Sequence, residues 1–132
     1  LGERHPLRIL LAEDNSVNRK LSMLFLERMG YVPDTVEDGH QVLQALKNKS
    51  YDVLLLDIAM PGLDGYEVTE LLPNLKLEKN PMIIGISANA HKSDIEKAYA
   101  VGMSSYIVKP IKFQDLKENL KNAYLSIQEP SL

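Results

Sequence analysis

Apolar residues gather in five short runs, each ending abruptly in polar residues, and amphipathic stretches separate the runs. Leu7-Arg8-Ile9-Leu10-Leu11-Ala12 gives way to Glu13-Asp14-Asn15, the pattern of a buried strand entering a polar loop. Val17, Leu21, Leu24, Phe25 and Met29 recur at three- and four-residue steps, predicting a helix from Asn15 or Ser16 to Met29 that Gly30 stops. Residues 31–36 read as a weak strand, and Pro33 places it at a sheet edge. Asp38-Gly39 turns the chain into a helix over 40–49, and the aliphatic run at 53–57 reads as a central strand covered on both faces.

Pro61-Gly62 and Asp64-Gly65 form a turn-rich loop before a helix over 66–72, which Pro73 ends or bends; residues 74–81 read as loop. Residues 82–87 form another aliphatic strand, and Ser93-Asp94-Ile95-Glu96 matches a capping box opening a helix that stops near Gly102. A fifth strand covers 105–108, Lys109-Pro110 is a junction, and Phe113, Leu116, Leu120, Ala123 and Ile127 line one face of a last helix. Five strands alternating with five helices, without polar alternation in the strands, predict a doubly wound α/β fold on a five-stranded parallel sheet. The expected domain covers 8–128, flanked by an N-terminal tail or linker at 1–7 and a tail at 129–132.

Composition narrows the function classes. The chain has 132 residues, 45% of them hydrophobic, enough for one core and too few for a second full domain. Fifteen Lys and Arg against eighteen Asp and Glu leave a net charge of −3, so no basic footprint is present for nucleic acid or an anionic membrane, and neither contact is expected of this domain. The absence of cysteine excludes disulfides, thiolate zinc sites and cysteine nucleophiles, and fits a cytoplasmic location. The longest apolar runs fall far short of the ~20 residues that span a bilayer. The chain opens on Leu1, without a signal-peptide layout, so we expect a segment of a longer protein whose other parts can carry a membrane anchor.

Chemistry concentrates where the strands run out. Glu13-Asp14, Asp57, Ser87 and Lys109 all fall at carboxyl ends of predicted strands, which converge on one crevice in an open α/β sheet. Each alone has a structural explanation as a cap or turn residue; together they describe a site. Two like charges about 4 Å apart repel by about 4 kcal/mol at an effective dielectric of ~20, so three carboxylates call for cations. Lys109 supplies one, and a hard divalent ion such as Mg²⁺ suits the rest. Beside them a carboxylate can attack phosphorus in line, and Asp57 is the best-placed nucleophile.

Four segments carry a more specific signal: Leu11-Ala12-Glu13-Asp14-Asn15, Leu56-Asp57-Ile58-Ala59-Met60-Pro61-Gly62-Leu63-Asp64-Gly65, Ile86-Ser87-Ala88-Asn89-Ala90 and Val108-Lys109-Pro110. With them, the chain from about Arg8 to Gln128 resembles the receiver domain of two-component response regulators. That resemblance implies the flavodoxin-like (βα)5 fold with sheet order 2-1-3-4-5 and makes Asp57 the phosphoacceptor. It implies that Asp14, Asp57 and the Ala59 carbonyl bind Mg²⁺, that Glu13 acts mostly through a coordinated water, and that Ser87 and Lys109 hold phosphoryl oxygens. It also implies a cis bond between Lys109 and Pro110 and a switch aromatic at Tyr106. The chain departs from the family's pattern with Glu13 in place of the usual first aspartate and Ser87 in place of the commoner threonine. Ala59 and Asn89 flank the position where the family tunes hydrolysis, and Ala59 offers no polar group to orient water, which leads us to expect a persistent phosphoryl state.

The Asn15 and Asn18 pair and the segments around Asp57 and Ser87 look most like receivers of hybrid histidine kinases or phosphorelays. The partners this implies are a histidine kinase or a histidine-containing phosphotransfer domain, docking on the first helix, where Met23 and Leu26 lie off the main apolar stripe. No external-substrate enzyme is expected of the domain itself, although its parent can be a hybrid kinase. A stand-alone or DNA-binding regulator would contain the same domain. The rival from another class is a phosphohydrolase of the haloacid dehalogenase type, which normally carries a second Asp where this chain has Ala59. A binding-only pseudo-receiver should lack part of the acid, hydroxyl and Lys set, and a flavin protein of the same fold would need a phosphate-cradling loop that is not evident. His5, His40 and His91 are scattered in sequence and read as surface residues.

Overall fold

The computed structural model describes residues 5–128. In chain order the elements are β1 (Ile9–Ala12), α1 (Ser16–Arg28), β2 (Asp34–Val36), α2 (Gly39–Asn48), β3 (Val53–Asp57), α3 (Gly65–Leu71), a 3-10 turn (Leu72–Leu75), β4 (Met82–Ser87), α4 (Lys92–Val101), β5 (Ser105–Val108) and α5 (Phe113–Gln128). The strands form one parallel sheet in the order β2-β1-β3-β4-β5.

The period of two along the strands divides the core into two layers. Leu10, Ala12, Leu54, Leu56 and Ile83 face one side, packed with Val42 of α2, Val68 of α3 and Ala98 of α4. Ile9, Leu11, Val53, Leu55, Ile84 and Ile86 face the other, against Leu26 of α1 and Leu116 and Leu120 of α5. Covering both faces is what makes the inner strands β1, β3 and β4 run without polar interruption until their carboxyl ends, whereas the edge strand β2 is largely exposed and polar.

Four local expectations are corrected. β2 is shorter than 31–36, because the Tyr31 N–H donates to the Leu26 carbonyl at 2.9 Å and so completes α1, and Pro33 has no N–H to offer the ladder. The segment after α3 stays helical through Leu75, since Pro73 falls in the first turn of the 3-10 helix, where its missing donor is no loss. No capping box forms at Ser93: α4 begins at Lys92, with the cap two residues earlier, at His91, and no side-chain bond there. A capping box does form in α3, where Asp64 and Glu67 each bond the other's backbone N–H.

The fourth correction concerns α1. Its buried side is Ser22 and Leu26, continued by Met29, whereas Val17 is 72% exposed and Leu24 52%. Of the expected stripe, Val17, Leu21 and Leu24 therefore face solvent while Phe25 and Met29 pack into the core, and Leu26, expected to meet a partner, is 0% exposed. Counting apolar residues misled here because α1 has apolar residues on two faces, and the small polar Ser22 fits the crowded one.

Candidate functional site

The site grows from the ends of β1, β3, β4 and β5. β1 and β3 run in register from Ile9 opposite Val53 to Ala12 opposite Leu56, so Glu13-Asp14 and Asp57 leave the sheet side by side. The Glu13 N–H continues the ladder to the Val36 carbonyl at 3.1 Å, and Asn15 caps α1 by accepting from the Asn18 N–H at 3.0 Å. Glu13 and Asp57 are 2% and 1% exposed, while Asp14 is open to solvent.

Gly65 shapes the loop that follows Asp57. Its N–H donates to the Ile58 carbonyl at 2.8 Å, and a Cβ there would lie 2.8 Å from the Ile58 Cα and 3.0 Å from the Asp57 carbonyl oxygen. Only glycine lets the loop fold back this closely. The exposed Ala59 donates its N–H to Asp57 Oδ1 at 3.2 Å, leaving Oδ2 to a different partner.

That partner is Lys109. Its Nζ lies 3.1 Å from Asp57 Oδ2 and 3.2 Å from Glu13 Oε1, so one ammonium serves two buried carboxylates. The Lys109 N–H donates to the Ser87 carbonyl at 2.7 Å, extending the β4–β5 ladder to the residue that carries the ammonium. Burial holds the Glu13 carboxyl above its ordinary range, helped by its hydrogen bond to Asp57 and the charge there. For Lys109, burial works to lower the ammonium, but the charge and hydrogen bond of Asp57, then those of Glu13, prevail and raise it.

One carboxylate oxygen from each of Glu13, Asp14 and Asp57 lies within 4.8 Å of the others. All are hard oxygen donors, and the one cation bonded to them leaves negative charge over, so the donor set fits a hard divalent ion such as Mg²⁺. The three histidines contribute to no such cluster among the described residues.

Ser87 is buried at the end of β4, and its Oγ accepts from the Asn89 N–H at 3.1 Å. Tyr106, half-buried in β5 opposite Gly85, packs against the α2–α4 core layer and donates its hydroxyl to the Asn89 carbonyl at 2.8 Å. Both residues thus bond the same amino acid of the loop between β4 and α4. Pro110 is exposed and joined to Lys109 by a cis peptide bond. Arg19 was not singled out in the sequence: its guanidinium bonds the Glu13 carbonyl at 2.9 Å and Glu37 at 3.2 Å, and an arginine inside a helix gives no advance sign of that.

Beside the acids, Asn18, Leu21 and Ser22 of α1 and Lys109, Pro110 and Ile111 line a crevice of about 40 Å³ that reaches Glu13. Val17, Leu21 and Leu24 lie at positions i, i+4 and i+7, one exposed apolar face of α1 next to this crevice.

Comparison with known proteins agrees with this architecture. The family model "Response regulator receiver domain" matches residues 9–121. The chain is 38% identical over 128 residues to Hybrid signal transduction histidine kinase H of Dictyostelium discoideum, spanning 94% of the chain and 9% of that protein. It is 38% identical over 130 residues to Histidine protein kinase 1 of Candida albicans, spanning 91% of the chain and 5% of that protein. Among solved structures, the receiver domain of a sensor histidine kinase from Pseudomonas aeruginosa, with a magnesium ion coordinated in its active-site cleft, superposes with a TM-score of 0.82. Its identity is 34%, with 89% of this chain and 97% of that one covered. The chain thus corresponds to a small part of these kinases.

Proposed function

Because the chain belongs to the response regulator receiver domain family, we propose that Asp57 is its phosphoacceptor, charged in a Mg²⁺-dependent reaction by a phosphohistidine on a partner protein. An Asp57 carboxylate oxygen attacks phosphorus in line, the P–N bond to the donor imidazole breaks, and the imidazole departs with the electron pair and takes up a proton from solvent. The product is an acyl phosphate on Asp57. In this reading Asp14, Asp57 and the Ala59 carbonyl hold Mg²⁺, with Glu13 acting at longer range. When bound, the ion neutralises carboxylate charge and draws electron density from the phosphoryl oxygens. Lys109 exchanges its bond to Asp57 for one to a phosphoryl oxygen, and the Ser87 hydroxyl donates to another. The observation that carries the reading is the Lys109 ammonium shared by Asp57 and Glu13, with Asp14 completing the cluster.

Signalling follows from the bonds that would change. Phosphorylation adds roughly −1.5 to −2 charges and new acceptor oxygens at Asp57. Drawing Ser87 toward them moves Asn89, which Tyr106 holds by its carbonyl, so Tyr106 is freed to turn inward and the α4–β5–α5 surface changes, with Pro110 shaping the turn beyond Lys109. The parent is a hybrid histidine kinase or phosphorelay protein, in keeping with the relatives named above. The donor is a histidine kinase or phosphotransfer domain seated on the Val17, Leu21 and Leu24 face of α1. Residues 8–128 form the domain, with 1–7 as an N-terminal tail or linker and 129–132 as a C-terminal tail, and it resides in the cytoplasm. Among the described residues no helix is long and apolar enough to cross a membrane.

The test is incubation with Mg²⁺ and acetyl phosphate, followed by intact-mass measurement of wild type and Asp57→Asn. One phosphoryl adduct on the wild type, absent from the variant, is expected. Steady turnover of unrelated phosphate esters without an adduct would point instead to a phosphohydrolase.

A further inference from the structure

The Glu13–Asp14 peptide carries two of the three clustered acids, yet Asp14 is exposed and its carboxylate makes no hydrogen bond or ion pair among the described residues. Its position is therefore set through the backbone. The Glu13 N–H is fixed by Val36, and its side chain by Lys109 and by the Asn15 N–H, which donates to Oε2 at 3.2 Å. The Glu13 carbonyl lies one residue beyond the end of β1, and Arg19 Nη1, on the first turns of α1, donates to it at 2.9 Å.

We propose that Arg19 is a positioning residue for the metal site: it clamps the plane of the Glu13–Asp14 peptide and so aims the Asp14 carboxylate at the cation. The inference rests on the phosphoacceptor reading above. The same guanidinium reaches Glu37 Oε1 with Nη2 at 3.2 Å, tying the loop after β1 to the loop after β2. Glu37 is largely exposed, so that ion pair is worth little by itself. Its use is to hold the guanidinium plane while the other nitrogen grips the carbonyl, a two-pronged geometry that an arginine fork provides and a lysine ammonium does not. The Arg19 N–H donates to the Asn15 carbonyl at 2.9 Å, so the clamp stands on the helix turn that Asn15 caps. Groups that orient ligands from behind commonly contribute about 10–100-fold to metal affinity.

The experiment is calorimetric titration of the apo protein with Mg²⁺ or Mn²⁺, without phosphodonor, for wild type, Arg19→Ala, Arg19→Lys and Glu37→Gln, with thermal melts alongside. Arg19→Ala should bind the ion roughly tenfold more weakly. Arg19→Lys, keeping one donor, should recover part of the loss, and Glu37→Gln should lose less than Arg19→Ala. Wild-type affinity in a folded Arg19→Ala overturns the inference; if Arg19→Ala does not fold, wild-type affinity in Arg19→Lys does so. A wild type that binds no divalent ion while its melt is normal defeats the phosphoacceptor reading itself, a separate outcome from unchanged affinity in the variants.

Discussion

Lys109 Nζ donates to Asp57 Oδ2 across 3.1 Å, joining the ends of two strands 52 residues apart in sequence, with β4 between them in the sheet. The same ammonium is held by Glu13, and with Asp14 beside them the carboxylates outnumber it three to one. Binding a divalent ion and accepting a phosphoryl group both reuse these bonds, which gives several measurable consequences.

The first concerns pH. Burial and the neighbouring Asp57 raise the Glu13 carboxyl in the folded protein, so the folded state binds more protons than the unfolded state between the ordinary Glu value and the raised one. Glu13 therefore subtracts stability from the apo protein as pH climbs through that window, opposite in sign to Asp52, whose carboxyl is lowered by Lys79 and the Arg8 N–H despite its burial. Thermal melts of wild type and Glu13→Gln from pH 4 to pH 8 should diverge, with the variant gaining relative stability as pH rises. Adding Mg²⁺ should narrow the gap. A constant difference across the range would show that Glu13 does not titrate differently on folding.

A second expectation tests the backbone under the phosphoacceptor. A methyl at position 65 would meet the Ile58 Cα at 2.8 Å, and backbone cannot yield as a flexible side chain does. Gly65→Ala should destabilise by about 1–3 kcal/mol, the usual range for overpacking. It should also slow labelling by acetyl phosphate, because relief moves the loop that follows Asp57. Labelling at the wild-type rate in a destabilised variant would show that the strain is absorbed in α3.

Most of the architecture was legible in the sequence because burial on both sheet faces writes unbroken aliphatic runs, and the site because polar residues stand out where those runs stop. Glu13, Asp57, Ser87 and Lys109 announce themselves in this way. Three features were not legible. The orientation of α1 depends on Ser22, a polar residue that is small enough to pack, so hydrophobic counting selected Val17 and Leu24 for the core. The start of α4 is not fixed by a side-chain cap, so the Ser93–Glu96 pattern was a false marker. The roles of Arg19 and of the Tyr106–Asn89 bond rest on contacts between loops, which no local period encodes.

A third prediction concerns the lifetime of the acyl phosphate. Ala59 is exposed two residues beyond Asp57 and presents only a methyl group there, with its N–H already given to Asp57 Oδ1. The methyl group at that position cannot orient an attacking water. Ala59→Asn introduces an amide able to do so, and its dephosphorylation after removal of acetyl phosphate should be faster than that of the wild type, because a held water attacks more readily than a diffusing one. Equal decay rates, followed by loss of the mass adduct, would remove Ala59 as a determinant of persistence.

The last prediction separates chemistry from recognition. Val17, Leu21 and Leu24 form an exposed apolar face on α1, and Leu21 also lines the crevice that reaches Glu13 and Lys109. A protein donor must bring its phosphohistidine to Asp57 past this face, whereas acetyl phosphate is small enough to reach the site without docking on it. Val17→Asp and Leu21→Asp place charges where a partner helix would be desolvated, and loss of a central apolar contact commonly costs about 2 kcal/mol or more. Transfer from a phosphorylated histidine phosphotransfer domain should fall roughly tenfold or more on that basis, while labelling by acetyl phosphate and the melting temperature stay near wild type. Met23→Asp should instead lower stability, since Met23 packs against the α1–α5 core layer. If Val17→Asp and Leu21→Asp slow both donors equally, the face belongs to the site's own integrity and the donor approaches elsewhere.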